Sequence, residues 1–135
     1  MKYLLDSNSV IDHLRHGASS NVTSAISSAP PNSVHLCSVV VAELLFGVWR
    51  SPLARQTANL ALVANLQRRF PSIPFDDSAA EAYARIRADL AAAGKSIGPN
   101  DLMIAAIALA NQMTLVTHNS SEFSRVQGLM IEDWQ

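Results

Sequence analysis

Three carboxylates stand out for what surrounds them. Asp6 closes the apolar run KYLL (2 to 5), Glu43 lies within VVVAELLFG, and Asp101 opens the stretch IGPNDLMIAAIALA (97 to 110). Leu102 to Ala110, the nine residues after Asp101, are all apolar. A helix that is apolar on every side is buried on every side, so Asp101 sits where the chain enters the core. One reading makes it structural: Pro99 opens the helix, and an acid in the first turn complements the positive end of the helix dipole. The other reading requires the three acids to converge. Two unit charges about 6 Å apart repel by roughly 3 kcal/mol at an effective dielectric near 20, and a trio holds three such pairs. No lysine or arginine lies within four residues of Glu43 or Asp101, so a divalent cation would have to relieve the conflict. Carboxylate oxygens without thiolates or a histidine pair suit Mg2+ or Mn2+ better than Zn2+. An ion of that kind can ionise a bound water and stabilise charge on a phosphate, which is metal-assisted phosphodiester hydrolysis.

The elements that must carry these acids alternate along the chain. Short apolar runs at KYLL (2 to 5), VHLC (34 to 37), TLVT (114 to 117) and LMI (129 to 131) read as strands, and SIPF (72 to 75) as an edge strand, because its proline excludes a central position. Between them, SVIDHLRHG reads as a brief helix stopped at Gly17. VVVAELLFGVW reads as a buried helix capped by Ser38 and broken at Ser51-Pro52. A further helix runs to about Phe70, with Leu53, Thr57, Leu60, Ala61 and Ala64 in helical spacing. Ser78 to Glu81 has capping-box form, and Ala79, Ala82, Tyr83, Ile86 and Leu90 give the following helix one apolar face up to Gly94. Glu81 with Arg85, and Arg85 with Asp89, are i,i+4 pairs on its wet face. This alternation implies an α/β fold with a parallel sheet covered on both sides, whose ligands collect at the carboxyl ends of the strands. Asp6, Glu43 and Asp101 all belong at that end.

At 135 residues the chain is expected to form one domain, residues 1 to 135, with a sizeable core. Its net charge is -1; setting the three acids aside leaves ten basic residues against eight acidic, or +2. The remaining surface is therefore mildly basic, without the strong basic excess typical of nucleic-acid binders. Cys37, the only cysteine, is flanked by apolar residues and suits a reducing compartment. MKYLLD holds no signal-peptide core, and nine apolar residues are too few to span a bilayer. A cytoplasmic protein with no membrane association is expected.

Four blocks carry a family resemblance: LDSN (5 to 8), AELLFG (42 to 47), IGPNDLMIAAIA (97 to 108) and LVTHNSSEFSRVQGL (115 to 129), in that order and followed by EDW (132 to 134). In these the chain resembles the PIN-domain ribonucleases, most closely the VapC toxins of bacterial toxin-antitoxin pairs. The resemblance covers nearly the whole chain. It implies a three-layer α/β/α sandwich with a short central parallel sheet, and an acidic pocket that binds Mg2+ or Mn2+ and hydrolyses RNA through a metal-bound water. Asp6, Glu43 and Asp101 map onto the metal-holding, catalytic acids. The resemblance also implies a homodimer and a cognate VapB-like antitoxin that lays a carboxy-terminal segment over the active-site groove.

Asn119 stands where many PIN domains carry aspartate, and it completes the catalytic set as a neutral group able to orient a water. Its structural alternative is a helix N-cap in Asn119-Ser120-Ser121-Glu122, with Glu122 as reciprocal acid rather than a distant member of the cluster. Ser7 replaces a threonine common in the family and keeps a hydroxyl for hydrogen bonding near the site. His13 and His16 close a short helix and read as end-caps, His118 as a loop histidine beside the site, and Arg50, Arg55, Arg68, Arg69 and Arg125 as solvated cations within reach of RNA phosphates. Phe46, Trp49 and Trp134 read as core or interface. The competing function classes are a catalytically silent PIN-like module that binds RNA or protein, which the complete acidic trio disfavours, and a receiver-like phosphoryl acceptor. The latter, like a haloacid-dehalogenase-type phosphatase, wants a second acid where Asp6-Ser7-Asn8 has none.

Overall fold

A computed structural model describes every residue from 1 to 135. The chain runs β1 (Tyr3–Leu5), α1 (Ser7–His16), a 3-10 turn (Gly17–Ser19), α2 (Asn21–Ser28), β2 (Val34–Cys37), α3 (Ser38–Arg50) and α4 (Leu53–Arg69). It continues through β3 (Ser72–Ile73), α5 (Asp77–Ala92), α6 (Pro99–Ala110), β4 (Thr114–Val116), α7 (Ser120–Phe123) and β5 (Ile131–Glu132). All five strands are parallel, in the order β3-β2-β1-β4-β5. Successive residues of a strand face opposite sides of a sheet. Leu4 and Leu5, Leu36 and Cys37, and Leu115 and Val116 are all buried, so both faces of the sheet are covered, as the run of apolar residues in each strand requires.

The strand order places the site. From β1 the chain moves outward to β2 and β3, then crosses back to β4 on the other side of β1. The order thus reverses between β1 and β4, and at such a switch point the connections leave a crevice at the carboxyl ends of the strands. Asp6 follows β1 and Asn119 follows β4, one on each lip. The helix α6 supplies the floor: Leu102 and Ile104 to Ala108 are buried, five of them at 0% exposure, which is the all-round burial read from its sequence.

Several local expectations are corrected. α2 occupies NVTSAISS, a stretch whose serines and threonines give little apolar signal; Ser20 caps it by accepting from the Thr23 N–H at 3.2 Å, and Val22 and Ile26 are buried. The cap of α5 is Asp76, which accepts from the Ala79 N–H at 3.0 Å, two residues before the expected Ser78. Ser38 lies inside α3, and its hydroxyl accepts from the Phe75 N–H instead, fastening α3 to the segment after β3. α4 is helical over the residues read as such; its buried residues are Val63 and Leu66, Leu60 packs half-buried against the core, and Leu53 is 84% exposed. Glu81, Arg85 and Asp89 form no ion pairs: the only two in the chain join His16 to Asp12 and His118 to Asp133. The edge position of β3 stands as expected from its proline-bounded sequence.

Ile104→Ala removes a side chain with no exposure. It is expected to lower the unfolding free energy by about 2–5 kcal/mol, read as a lower denaturant midpoint with an unchanged slope.

Candidate active site

Asp6 is buried at 4% exposure and has a structural task that its sequence context did not reveal. It is the N-cap of α1: the Ser9 N–H donates to Oδ1 at 2.8 Å, while the Asp6 N–H donates to the Val116 carbonyl at 3.1 Å. The strand thus passes into the helix at a fixed angle, and Oδ2 makes no hydrogen bond within the chain. The next residue, Ser7, donates its hydroxyl to Glu43 Oε1 at 2.7 Å. One two-residue step of backbone therefore positions two of the three acids, Asp6 directly and Glu43 through Ser7. Glu43 sits on α3, which packs against both α1 and α6.

Asp101 enters from the first turn of α6, where the dipole would favour its ionised form. The environment outweighs that. Its carboxyl is pushed up to about 6, first by burial, then by the nearby charges of Glu122, Glu43 and Asp6, and finally by a carboxyl–carboxyl hydrogen bond to Glu122. All three sequence-selected acids are thus within electrostatic reach of one another, together with a fourth, Glu122. No lysine or arginine pairs with any of them. They do not form a finished ligand set: no three His, Cys, Asp or Glu side chains stand close enough to hold one ion without adjustment.

Glu122, for which the sequence favours a capping role over distant membership of the acidic cluster, takes the second place. It was expected to cap α7, yet that helix has no side-chain cap. Instead Oε1 accepts from the Gly98 N–H at 3.1 Å, tying the entry of α6 to the segment after β4, and Oε2 accepts from Asn119 Nδ2 at 2.6 Å. Asn119 also receives support through its backbone, whose N–H donates to Thr117 Oγ1 at 2.9 Å. With its nitrogen committed to Glu122, the Asn119 side chain has its amide oxygen free. Twenty-four residues separate Gly98 from Glu122, so no local pattern could have announced the contact.

None of the remaining candidates is hydrogen-bonded or ion-paired to the acids. His13 is hydrogen-bonded to Thr23 Oγ1 at 2.7 Å, tying α1 to α2, and His16 Nδ1 to Asp12 at 3.0 Å, an i,i+4 contact within α1. His118 donates to Asp133 Oδ2 at 2.9 Å. Cys37 is buried, and burial pushes its thiol up to about 11, so it serves as a core residue. Phe46 and Trp49 are about 60% exposed on α3, with Arg50 over the Phe46 ring at 5.5 Å, whereas Trp134 packs against Tyr3. No helix is long and apolar enough to cross a membrane.

Comparison with known proteins agrees with this architecture. The PIN domain family model matches residues 3–129. A tRNA(fMet)-specific endonuclease VapC from Shigella flexneri is 34% identical, covering 99% of this chain and 98% of its own. Ribonuclease VapC2 from Rickettsia felis is also 34% identical, with the same coverage. Among solved structures, VapBC2 from Rickettsia felis bound to a DNA fragment from its promoter superposes with a TM-score of 0.91 at 31% identity, over 100% of both chains. DNA-bound VapBC from Salmonella typhimurium gives 0.91 at 32% identity, over 100% of this chain and 99% of that one. Strand order, the acids around the crevice and full-length similarity above 30% converge: the chain belongs to the PIN-domain family, as a VapC-type ribonuclease toxin of a toxin-antitoxin system.

Proposed function

We propose that the crevice between β1 and β4 is the ribonuclease centre, with Asp6, Glu43 and Asp101 holding Mg2+, or Mn2+ in its place, and Asn119 completing the catalytic set. The observation that carries this is the Asp101 carboxyl raised to about 6 by burial and by three neighbouring acids, with no cation from the chain to relieve it. The donor set is all oxygen, which fits a hard divalent ion. When bound, such an ion lowers the pKa of water and stabilises charge on a phosphoryl group. The chain's own part is to hold the oxygens ready. Oδ2 of Asp6 is left free by the helix cap on Oδ1, Ser7 fixes the Glu43 carboxylate, and Asp101 releases its proton to take up its role. The free amide oxygen of Asn119 accepts from a water beside the scissile phosphate and orients it. Glu122 works through Asn119 and the Gly98 N–H, as a positioning residue.

The printed specificity of the Shigella flexneri relative makes tRNA(fMet) the first substrate to test. The VapBC assemblies among the structural neighbours support a cognate VapB-like antitoxin as the partner; a homodimer as the toxin's own assembly rests on the family resemblance alone.

Asp6→Asn and Asp101→Asn separate charge from scaffold, since asparagine caps a helix about as well as aspartate. Each is expected to melt a few degrees above wild type in EDTA, lose the stabilisation Mg2+ gives wild type, and cut RNA ~100-fold or more slowly. For Asp101→Asn the gain is about 1–2 kcal/mol, below the full equivalent of its shift because the group is partly exposed. An Asp101→Asn protein that melts no higher and keeps its Mg2+ response would contradict the reading.

The pH dependence has a definite sign. The folded-state value of Asp101 lies above its ordinary 3.8, so its protonation stabilises the metal-free fold fully below about pH 4, and that contribution is lost as pH rises through about 6. His13 and His35 act oppositely, because burial holds both below their ordinary 6.5. Subtracting the Asp101→Asn stability curve removes their effect. The difference between wild type and variant is expected to fall between about pH 4 and 6 in EDTA and to flatten in Mg2+; a difference independent of pH would count against the raised carboxyl.

A further inference from the structure

One face of α1 and the loop after β4 enclose a second depression beside the acids. Residues 8, 11, 12, 15 and 16 recur at helical spacing and line one wall, while His118 and Asn119 line the other. The cavity measures about 370 Å3, within the size range of small-ligand sites. Its lining is almost wholly polar, with Ile11 the one apolar side chain, so it does not suit a greasy ligand. Asn119 borders both this cavity and the acidic crevice, and Asn8 follows directly on Asp6 and Ser7. The cavity therefore adjoins the acids, through Asn119's hydrogen bond to Glu122 and through the Asp6-Ser7-Asn8 step.

The charges within it are not equivalent. Asp12 accepts from the Ser20 hydroxyl at 2.6 Å and from His16 Nδ1 at 3.0 Å, which holds its carboxyl below the usual range. Asp133, behind the rim, accepts from the Gln135 N–H and from His118. Both carboxylates are thus occupied, and each fixes an imidazole at the rim. Arg15, by contrast, has no ion pair and no hydrogen bond, leaving its guanidinium free in the cavity wall. A guanidinium matches a phosphate bidentately, and fixed imidazole faces offer surfaces on which an unpaired base can stack. Nine residues of helix separate Asp6 from Arg15, about 14 Å along the axis. Arg15 is accordingly too far down α1 to serve the phosphate at the acids.

We propose that this cavity is a substrate subsite that takes the single-stranded nucleotide flanking the scissile bond, with Arg15 on its phosphate and His118, held by Asp133, against its base. The proposal rests on the acidic crevice being the cleavage centre, and it adds to that reading the residues that thread the RNA past it. They are positioning residues, acting on binding rather than on bond breakage.

The test combines cleavage in Mg2+ with binding of a fluorescent single-stranded RNA oligonucleotide in EDTA, where no cleavage occurs. Arg15→Ala is expected to raise KM ~10-fold with kcat within about twofold, and to reduce the slope of log affinity against log salt by about 0.7, one phosphate contact. Arg15→Lys recovers part of the affinity, and His118→Ala raises KM without changing the salt slope. Arg87→Ala removes an equal charge from the exposed surface of α5 and leaves all these quantities as in wild type. An Arg15→Ala protein indistinguishable from Arg87→Ala overturns the subsite, as does one that loses kcat at constant KM. Loss of antitoxin binding with RNA affinity intact also overturns it, by making the cavity a protein contact. Failure of wild type to cleave any RNA would count against the ribonuclease centre instead, and the binding slope in EDTA would still decide on Arg15.

Discussion

Electrostatic repulsion among carboxylates that the fold forces to one end of a parallel sheet is the constraint from which the rest of this structure follows. Asp6, Glu43 and Asp101 come from three separate elements, and Glu122 from a fourth: the end of β1, the second turn of α3, the first turn of α6 and the short α7. A sheet with the order β3-β2-β1-β4-β5 has one place where its connections part, and the acids meet there. The chain answers with hydrogen bonds rather than counter-ions. Ser9 and Ser7 satisfy one oxygen each of Asp6 and Glu43, Gly98 and Asn119 satisfy Glu122, and Asp101, which has no such donor, retains a proton to about pH 6. The site gathers negative charge that no cation of the chain offsets.

That repulsion is tolerable because the surroundings are rigid. α6 is buried along nearly its whole length, and its close-packed interior transmits little movement to Asp101. The small residues Ala105, Ala106 and Ala108 let it lie close against its neighbours, while Ile104 and Ile107 fill the space beside the strands. Asp6 joins the same framework from the other side, since its cap on α1 and its backbone bond to Val116 tie β1, β4 and α1 together. An acid that also starts a helix has little freedom to drift.

Much of this was legible in the sequence because it depends on patterns of burial. Nine apolar residues after Asp101 can only be a buried helix, and short apolar strands between longer helices can only be a covered parallel sheet; from those two facts the three acids fall at the same end. What escaped has a common physical origin. α2 is built from small polar residues with no strong periodicity, and the choice among neighbouring capping residues, Asp76 over Ser78, turns on backbone geometry that spacing does not encode. Glu122 looked like a local cap because a Ser-Ser-Glu sequence permits one. Its actual partners, Gly98 and Asn119, are set by how α6 docks beside β4. Arg15 and His118 likewise share a cavity only because α1 lies against the loop after β4, an association that no stretch of sequence displays.

The account is tested most directly by where a divalent ion goes. Crystals of the wild-type chain grown with Mn2+ at neutral pH are expected to show a single dominant anomalous peak in the crevice, with the carboxylates of Asp6, Glu43 and Asp101 drawn in around it and Asp101 ionised. A crevice without a peak at saturating Mn2+, its carboxylates still spaced apart, would contradict the claim that these acids are assembled to share a cation.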